Sequence, residues 1–140
     1  MDFLLPLKIS ASGLHAQRRR MDVIADNLSN IETTRTEAGG PYRRKMVVIG
    51  ARPVEDFDSH YQIKLDEVEL GGIVEDQSPF KKAYNPSHPD ADAQGYLQKP
   101  NVDLIVEMTN MLMARRAFEA NLAAIKATKQ MAIKALEIGR

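Results

Sequence analysis

The side chains able to do chemistry are few and scattered. His15, His60 and His88 lie far apart along a chain of 140 residues. The stretch HPDAD brings His88, Asp90 and Asp92 together, residue types that ligate metals. A metal site needs more ligands than these, and the flanking prolines read as a turn. Glu55, Asp56 and Asp58 form an acidic run. It reads as a solvated loop rather than as paired carboxylates for acid–base work. With no cysteine, neither thiol chemistry nor a disulfide is available. No Gly-rich phosphate loop, HExxH or GxSxG is present. No catalytic, cofactor-binding or metal-binding residue is therefore assigned, and the chain is expected not to be an enzyme.

The basic patches RRR (18–20) and YRRK (42–45) raise the question of nucleic acid. The formal net charge is zero and no base-reading element is recognisable, so neither nucleic acid nor a small molecule is the expected partner. A basic coiled-coil nucleic-acid binder stays open as the remote alternative. Charge is unevenly spread. Residues 1–54 carry nine Lys/Arg against five Asp/Glu, residues 55–107 four against twelve, and residues 108–140 six against two. Basic ends and an acidic middle would attract copies of the chain end to middle, within the limits of ionic screening. The start, MDFLLPLKIS, has neither a basic n-region nor a long apolar run, so no cleavable signal peptide and no membrane span is expected.

Two long elements dominate the pattern. Leu7, Leu14, Met21 and Leu28 fall seven apart, with Ala11, Arg18 and Ala25 interleaved four residues after the first three. Alternating +4 and +3 spacing is a helical seam and predicts a helix over about 5–30. From Leu104 through Met108, Met111, Arg115, Phe118, Leu122, Ile125, Lys129, Ala132 and Leu136 the same spacing runs without a slip. It predicts a second helix over about 102–138, with Asn101 as a reasonable N-cap and Asp103 in the first turn. A second stripe on this helix (Ala114, Ala117, Asn121, Ala124, Thr128, Met131, Ala135) is made mostly of small residues. The helix is thus expected to be contacted on two sides, by the N-terminal helix and by a second molecule. Charges at the seam positions Arg18, Arg115 and Lys129 either snorkel to solvent or fix register and partner choice.

Between the helices, MVVIGARPV (46–54) and YQIKLDEVEL (61–70) read as strands, and GGIVED starts a third. Residues 85–101 read as turn-rich and extended. The expected fold is mainly α with a small β-containing insert. The terminal helices pair as a coiled-coil-like hairpin, with residues 1–34 and 101–140 forming an inner helical domain and 35–100 an irregular β-rich outer domain. The cluster NLSNIETT (27–34) closes the first helix with more polar side chains than a cap needs.

The stretch SGLHAQRRRMDVIADNLSNIETTRT resembles the N-terminal signature of the bacterial flagellar rod and hook (axial) proteins. There, a helix with SGL precedes an N-hydrophobic-x-N-x-x-T segment, here Asn27, Leu28, Asn30 and Thr33. PNVDLIVEMTNMLMARRAFEANLAAIKATKQM resembles the matching C-terminal end, including Asn101, Val102, Glu107, Arg116, Phe118, Glu119, Ala120 and Asn121. GGPYRRKMVV and HPDADAQGYLQKPNV are similar to proximal-rod members of that family, and TTRT stands where other axial proteins carry TGYK or TGFK. Another axial protein with the same terminal helices is the alternative. Nothing is recognised over residues 50–75.

The resemblance implies a subunit exported unfolded, without a cleaved signal, through the flagellar type III export apparatus. It implies assembly in the periplasm into the basal-body rod, the shaft between the membrane ring and the hook. Terminal helices would form an inner tube around the channel, and the middle segment an outer domain. Implied partners are copies of itself, the rod proteins FlgB, FlgF and FlgG, and the basal adaptor FliE. The expected assembly interface comprises Leu7, Leu14, Arg18, Met21, Asn27, Leu28, Asn30 and Thr33 on the N-terminal side. On the C-terminal side it comprises Met108, Met111, Arg115, Phe118, Asn121, Leu122, Ile125 and Lys129. Asn27, Asn30 and Thr33 are expected to satisfy backbone groups of their own turn or of a neighbour.

Overall fold

A computed structural model describes residues 4–53 and 65–138. Helix α1 spans Leu4–Ser29 and helix α2 spans Leu104–Ile138. Between them lie β1 (Lys45–Pro53), β2 (Asp66–Glu75), β3 (Lys81–Tyr84) and β4 (Tyr96–Lys99). The strands form two separate two-stranded antiparallel ribbons, β1–β2 and β3–β4. Mainly helix with a small β insert is thus the architecture.

Three local expectations change. Residues 66–75 are one strand, not the end of one and the start of another. Gly71 is the extra residue of a β-bulge, because Val48 faces Gly72 while Ile49 faces Leu70. Gly72 takes a φ of +111°, which a side chain would strain. The part of the expected strand at 61–64 lies outside the described residues. Residues 85–95 are the loop of the β3–β4 hairpin rather than an extended run. Asp92 closes it by accepting hydrogen bonds from the Gln94 and Tyr96 amides at 2.9 and 2.8 Å. HPDAD is a turn here: His88 Nδ1 accepts from the Asp90 amide, and Asp90 accepts from the Thr34 hydroxyl. Finally, the α2 cap is Asp103, whose Oδ1 accepts from the amides of Ile105 and Val106. Asn101 is engaged elsewhere.

The helices pack antiparallel, and the seam between them is not the Leu/Met seam. On α1 the buried positions are Gly13, Ala16, Val23, Ile24 and Asn27, whereas Ala11, Arg18 and Ala25 are exposed and Leu7, Leu14, Met21 and Leu28 half-buried. On α2 the buried residues are Glu107, Ala114 and Thr128. Met111, Phe118, Asn121 and Ile125 are half-buried beside them. α1 therefore lies between the two α2 stripes and touches the inner edge of each. Gly13 explains the close approach. A Cβ there would stand 2.9 Å from Asn121 Nδ2 and 3.2 Å from its Cγ.

Helix propensity alone would reward Gly13→Ala by about 1 kcal/mol. Contact with the Asn121 amide opposes that gain. Urea denaturation should show Gly13→Ala destabilising the wild-type chain and stabilising an Asn121→Ala chain by about 1 kcal/mol. Equal effects in both backgrounds would refute the contact.

Candidate functional site

The two ends of the chain are joined by a buried polar clasp. Asn27 is 1% exposed, in the last turns of α1. Its Nδ2 donates to the Lys45 carbonyl (2.8 Å) and to Glu107 Oε2 (3.1 Å). Its Oδ1 accepts from the Lys45 amide (2.9 Å) and the Tyr42 hydroxyl (3.0 Å). The side-chain amide thus occupies the edge of β1 as a neighbouring strand would, pairing both backbone groups of Lys45.

Glu107, in the first turn of α2, is fully buried. An isolated buried carboxylate is strongly disfavoured, so it must be paired and hydrogen-bonded. Arg44 does this with Nε at 2.9 Å and Nη2 at 2.7 Å from Oε1. Arg44 Nη1 reaches Asp76 at 3.3 Å, and its backbone amide donates to Asn101 Oδ1 at 2.8 Å. Asn101 Nδ2 donates onward to the Asp76 carbonyl and Ser78 Oγ. Two asparagines and the two ion pairs of Arg44 therefore tie α1, β1, the turn after β2, and the entry to α2 into one unit.

The electrostatics follow from this packing. Burial opposes the Arg44 charge, but the hydrogen bonds and charges of Glu107 and Asp76 outweigh it and raise its pKa. Burial, aided by the charges of Asp26, Glu75 and Glu107, pushes the Tyr42 phenol up. The Ser78 amide and hydroxyl hold Asp76 below the usual carboxylate range, with Arg44 assisting. The Val106 amide, then Lys81, do the same for Asp103.

The clasp gathers only part of the sequence-predicted set. Asn27 spends its whole hydrogen-bonding capacity inside the chain. Asn30 donates to the Asp26 carbonyl and accepts from the Thr33 hydroxyl, so both serve the turn that ends α1. Met108, Leu122, Arg115, Lys129 and Arg18 are exposed, away from the clasp. Among the described residues, Arg115 meets only Glu119, one turn on at 3.0 Å. Sequence reasoning did not assign Tyr42, Arg44, Asp76 or Glu107 to a site. The available signal was Glu107, a carboxylate inside the apolar run LIVEM, which requires a cation if buried.

The chain is 46% identical to the flagellar basal-body rod protein FlgC of Bacillus subtilis, over 96% of each chain. It belongs to the FlgC family of flagellar basal-body rod proteins. The FlgC of Borreliella burgdorferi is 39% identical over 99% of this chain and 98% of its own, and that of Salmonella typhimurium 37% identical over 94% of each. The family described as "Flagella basal body rod protein" matches residues 7–35. The family described as "Flagellar basal body rod FlgEFG protein C-terminal" matches residues 93–138. The chain is a structural subunit of the basal-body rod. Its two matched segments are the ones the clasp joins: Asn27 from one meets Glu107 of the other directly, and Asn101 by way of the Lys45 and Arg44 backbone.

Asn27→Ala should lower unfolding free energy by about 3 kcal/mol, because it strands the Lys45 backbone and the buried Glu107. Asn27→Asp, close in shape, should not restore stability, since a carboxylate cannot donate and would stand against Glu107. Urea midpoints of both variants near wild type would show that the clasp carries no stability.

Acid has a defined effect. Asp76 and Asp103 have lower pKa values folded than unfolded, so the unfolded chain binds more protons on acidification. Their stabilisation is complete well above the ordinary value of 3.8 and is lost as pH falls through their lower folded values. Urea titrations should give a flat midpoint near neutrality and a decline below about pH 4. Asp76→Asn should flatten that decline. An unchanged acid slope would exclude Asp76 as a contributor.

Proposed function

We propose that this subunit polymerises in the proximal rod through the outer faces of its terminal helices, and that torque passes between subunits through that packing. The observation carrying this reading is the apolar surface left on α2. Ile105 is 75% exposed, Met108 and Met113 58%, Leu136 76%. Leu104, Val106, Leu112 and Leu122 add to it. Exposed apolar area on this scale marks an interaction surface. Burying it recovers roughly 25 cal/mol per Å² before association costs. α1 occupies only the strip between the two stripes, so a neighbour can be met on either flank.

In this reading residues 1–34 and 101–140 form the inner layer around the channel, and 35–100 the outer domain. Arg18, Arg115 and Lys129, exposed beside the apolar flanks, set register with neighbours. The half-buried Leu7, Leu14, Met21, Leu28, Phe118 and Ile125 complete the interface at its edges. Neighbours are copies of the chain and the rod subunits FlgB, FlgF and FlgG, with FliE at the base. The subunit reaches the periplasm unfolded through the flagellar type III export apparatus, without a cleaved signal, and has no catalytic role. None of the described helices is long and apolar enough to cross a membrane.

Met108→Glu combined with Leu122→Glu tests the interface. Both sites are exposed, so the isolated chain should keep its stability within about 0.5 kcal/mol per site. Cells carrying the variant should lose swimming, and purified basal bodies should lack the complete rod. Normal rods, or a basal-body map with α1 and α2 on the outer surface, would refute this packing.

A further inference from the structure

All the sulfur in this chain is thioether: there are seven methionines and no cysteine. A peroxide that meets no thiol reacts with exposed methionine sulfur. Where the methionines stand therefore decides what an oxidant does to the subunit. Met21 and Met111 are half-buried at the edges of the helix pair. Met108, Met113 and Met131, all on α2, are each 58% exposed.

Helical geometry puts these three on opposite flanks of α2. Met113 and Met131 are five full turns apart, so they stand on one line of the helix, about 27 Å from each other. The exposed Val106 and Ile138 each lie seven residues from one of them, within about 20° of that line. Met108 lies about 140° round the helix from it, with the exposed Leu104 and Leu122 within about 40° on either side. Glu107, Ala114 and Thr128, buried on the side that meets α1, fill the wider arc between. Each outer flank of α2 thus carries thioether sulfur among exposed aliphatic side chains.

We propose that Met108, Met113 and Met131 are oxidation sites that control association: the reduced thioethers permit it and the sulfoxides oppose it. This rests on the polymerisation reading above and adds a chemical control on the same faces. With hydrogen peroxide, a sulfur lone pair attacks one peroxide oxygen. The S–O bond forms, the O–O bond breaks and a proton shift releases water. Sulfur gives up two electrons and the peroxide is reduced. The product is a polar, hydrogen-bond-accepting sulfoxide on what had been an apolar side chain. In the free subunit that oxygen stays hydrated and the fold is unaffected. Against a neighbour's apolar side chains it is a buried acceptor without a donor. Assembly in turn covers the sulfurs, so oxidation, and its reversal by sulfoxide reductases, acts on the subunit before it is incorporated.

Hydrogen peroxide applied to the purified full chain, followed by peptide mass spectrometry, should oxidise Met108, Met113 and Met131 several times faster than Met21 and Met111. The oxidised chain should keep its circular dichroism and urea midpoint. In purified basal bodies the three should react about tenfold more slowly than in the free chain. Met113→Gln with Met131→Gln puts an amide oxygen near the place of the sulfoxide oxygen. That variant should keep the wild-type urea midpoint, because both sites are exposed. Basal bodies from cells making it should lack the complete rod. Equal reactivity at all five methionines, or equal reactivity in free chain and rods, would overturn the proposal. So would a lowered urea midpoint, or normal rods with the Gln pair. If Met108→Glu with Leu122→Glu blocks rods and the Gln pair does not, only this proposal is removed. If both variants build normal rods, the polymerisation reading falls, and this proposal with it.

Discussion

A buried carboxylate decides how this chain is put together. Glu107 sits in the first turn of α2 with no exposure to water, a position tolerable only with a cation and good donors at hand. Arg44 and Asn27 supply them from segments 63 and 80 residues away in sequence. Each is in turn held: Arg44 by Asp76 and Asn101, Asn27 by the Lys45 backbone and Tyr42. Orientation is therefore imposed by directional bonds. Removing any member leaves another group buried and unpaired, so the helix ends and the base of the β1–β2 ribbon stand or fall together.

That dependence matters because apolar packing within the chain is thin. The seam between α1 and α2 uses Gly13, Ala16, Ala114 and Thr128, which allow close approach but bury little surface. The larger aliphatic side chains of α2 remain outside. A chain built this way has its geometry set by polar bonds and leaves much of its apolar area on the surface of α2. This is a sensible division for a subunit of a polymer. In the packing proposed here, precision comes from inside the subunit and cohesion from between subunits.

The β segments serve the same end. Two-stranded ribbons are marginal alone and need packing against another element. β1–β2 lies along α1, with the Val68 amide donating to Ser12 Oγ at 3.0 Å, and Glu67 held between Arg52 and Lys8. β3–β4 is anchored near the α2 entry by Lys81, which reaches the Val102 carbonyl and Asp103. Among the described residues, neither ribbon has a core of its own.

Much of this was legible in the residues. The +4/+3 spacing located both helices to within two residues, because amphipathic periodicity is a local property of the chain. The prolines and glycines of 31–100 marked a β-containing insert for the same reason. The family signature was likewise carried by contiguous residues. The choice among apolar stripes was not legible: a broad apolar surface satisfies several helical phases equally. Only the contact of Gly13 with Asn121 and the burial of Glu107 select one. The clasp was hidden for a related reason. Asn27, Arg44 and Glu107 are each unremarkable in their own neighbourhoods, and only the folded chain brings them within 3 Å or so of one another. Sequence alone determined which segments are helical and which family the chain resembles, since both are written in short-range patterns. Tertiary structure decided which face turns inward and which polar groups hold it there, because burial and hydrogen-bond geometry exist only between distant segments.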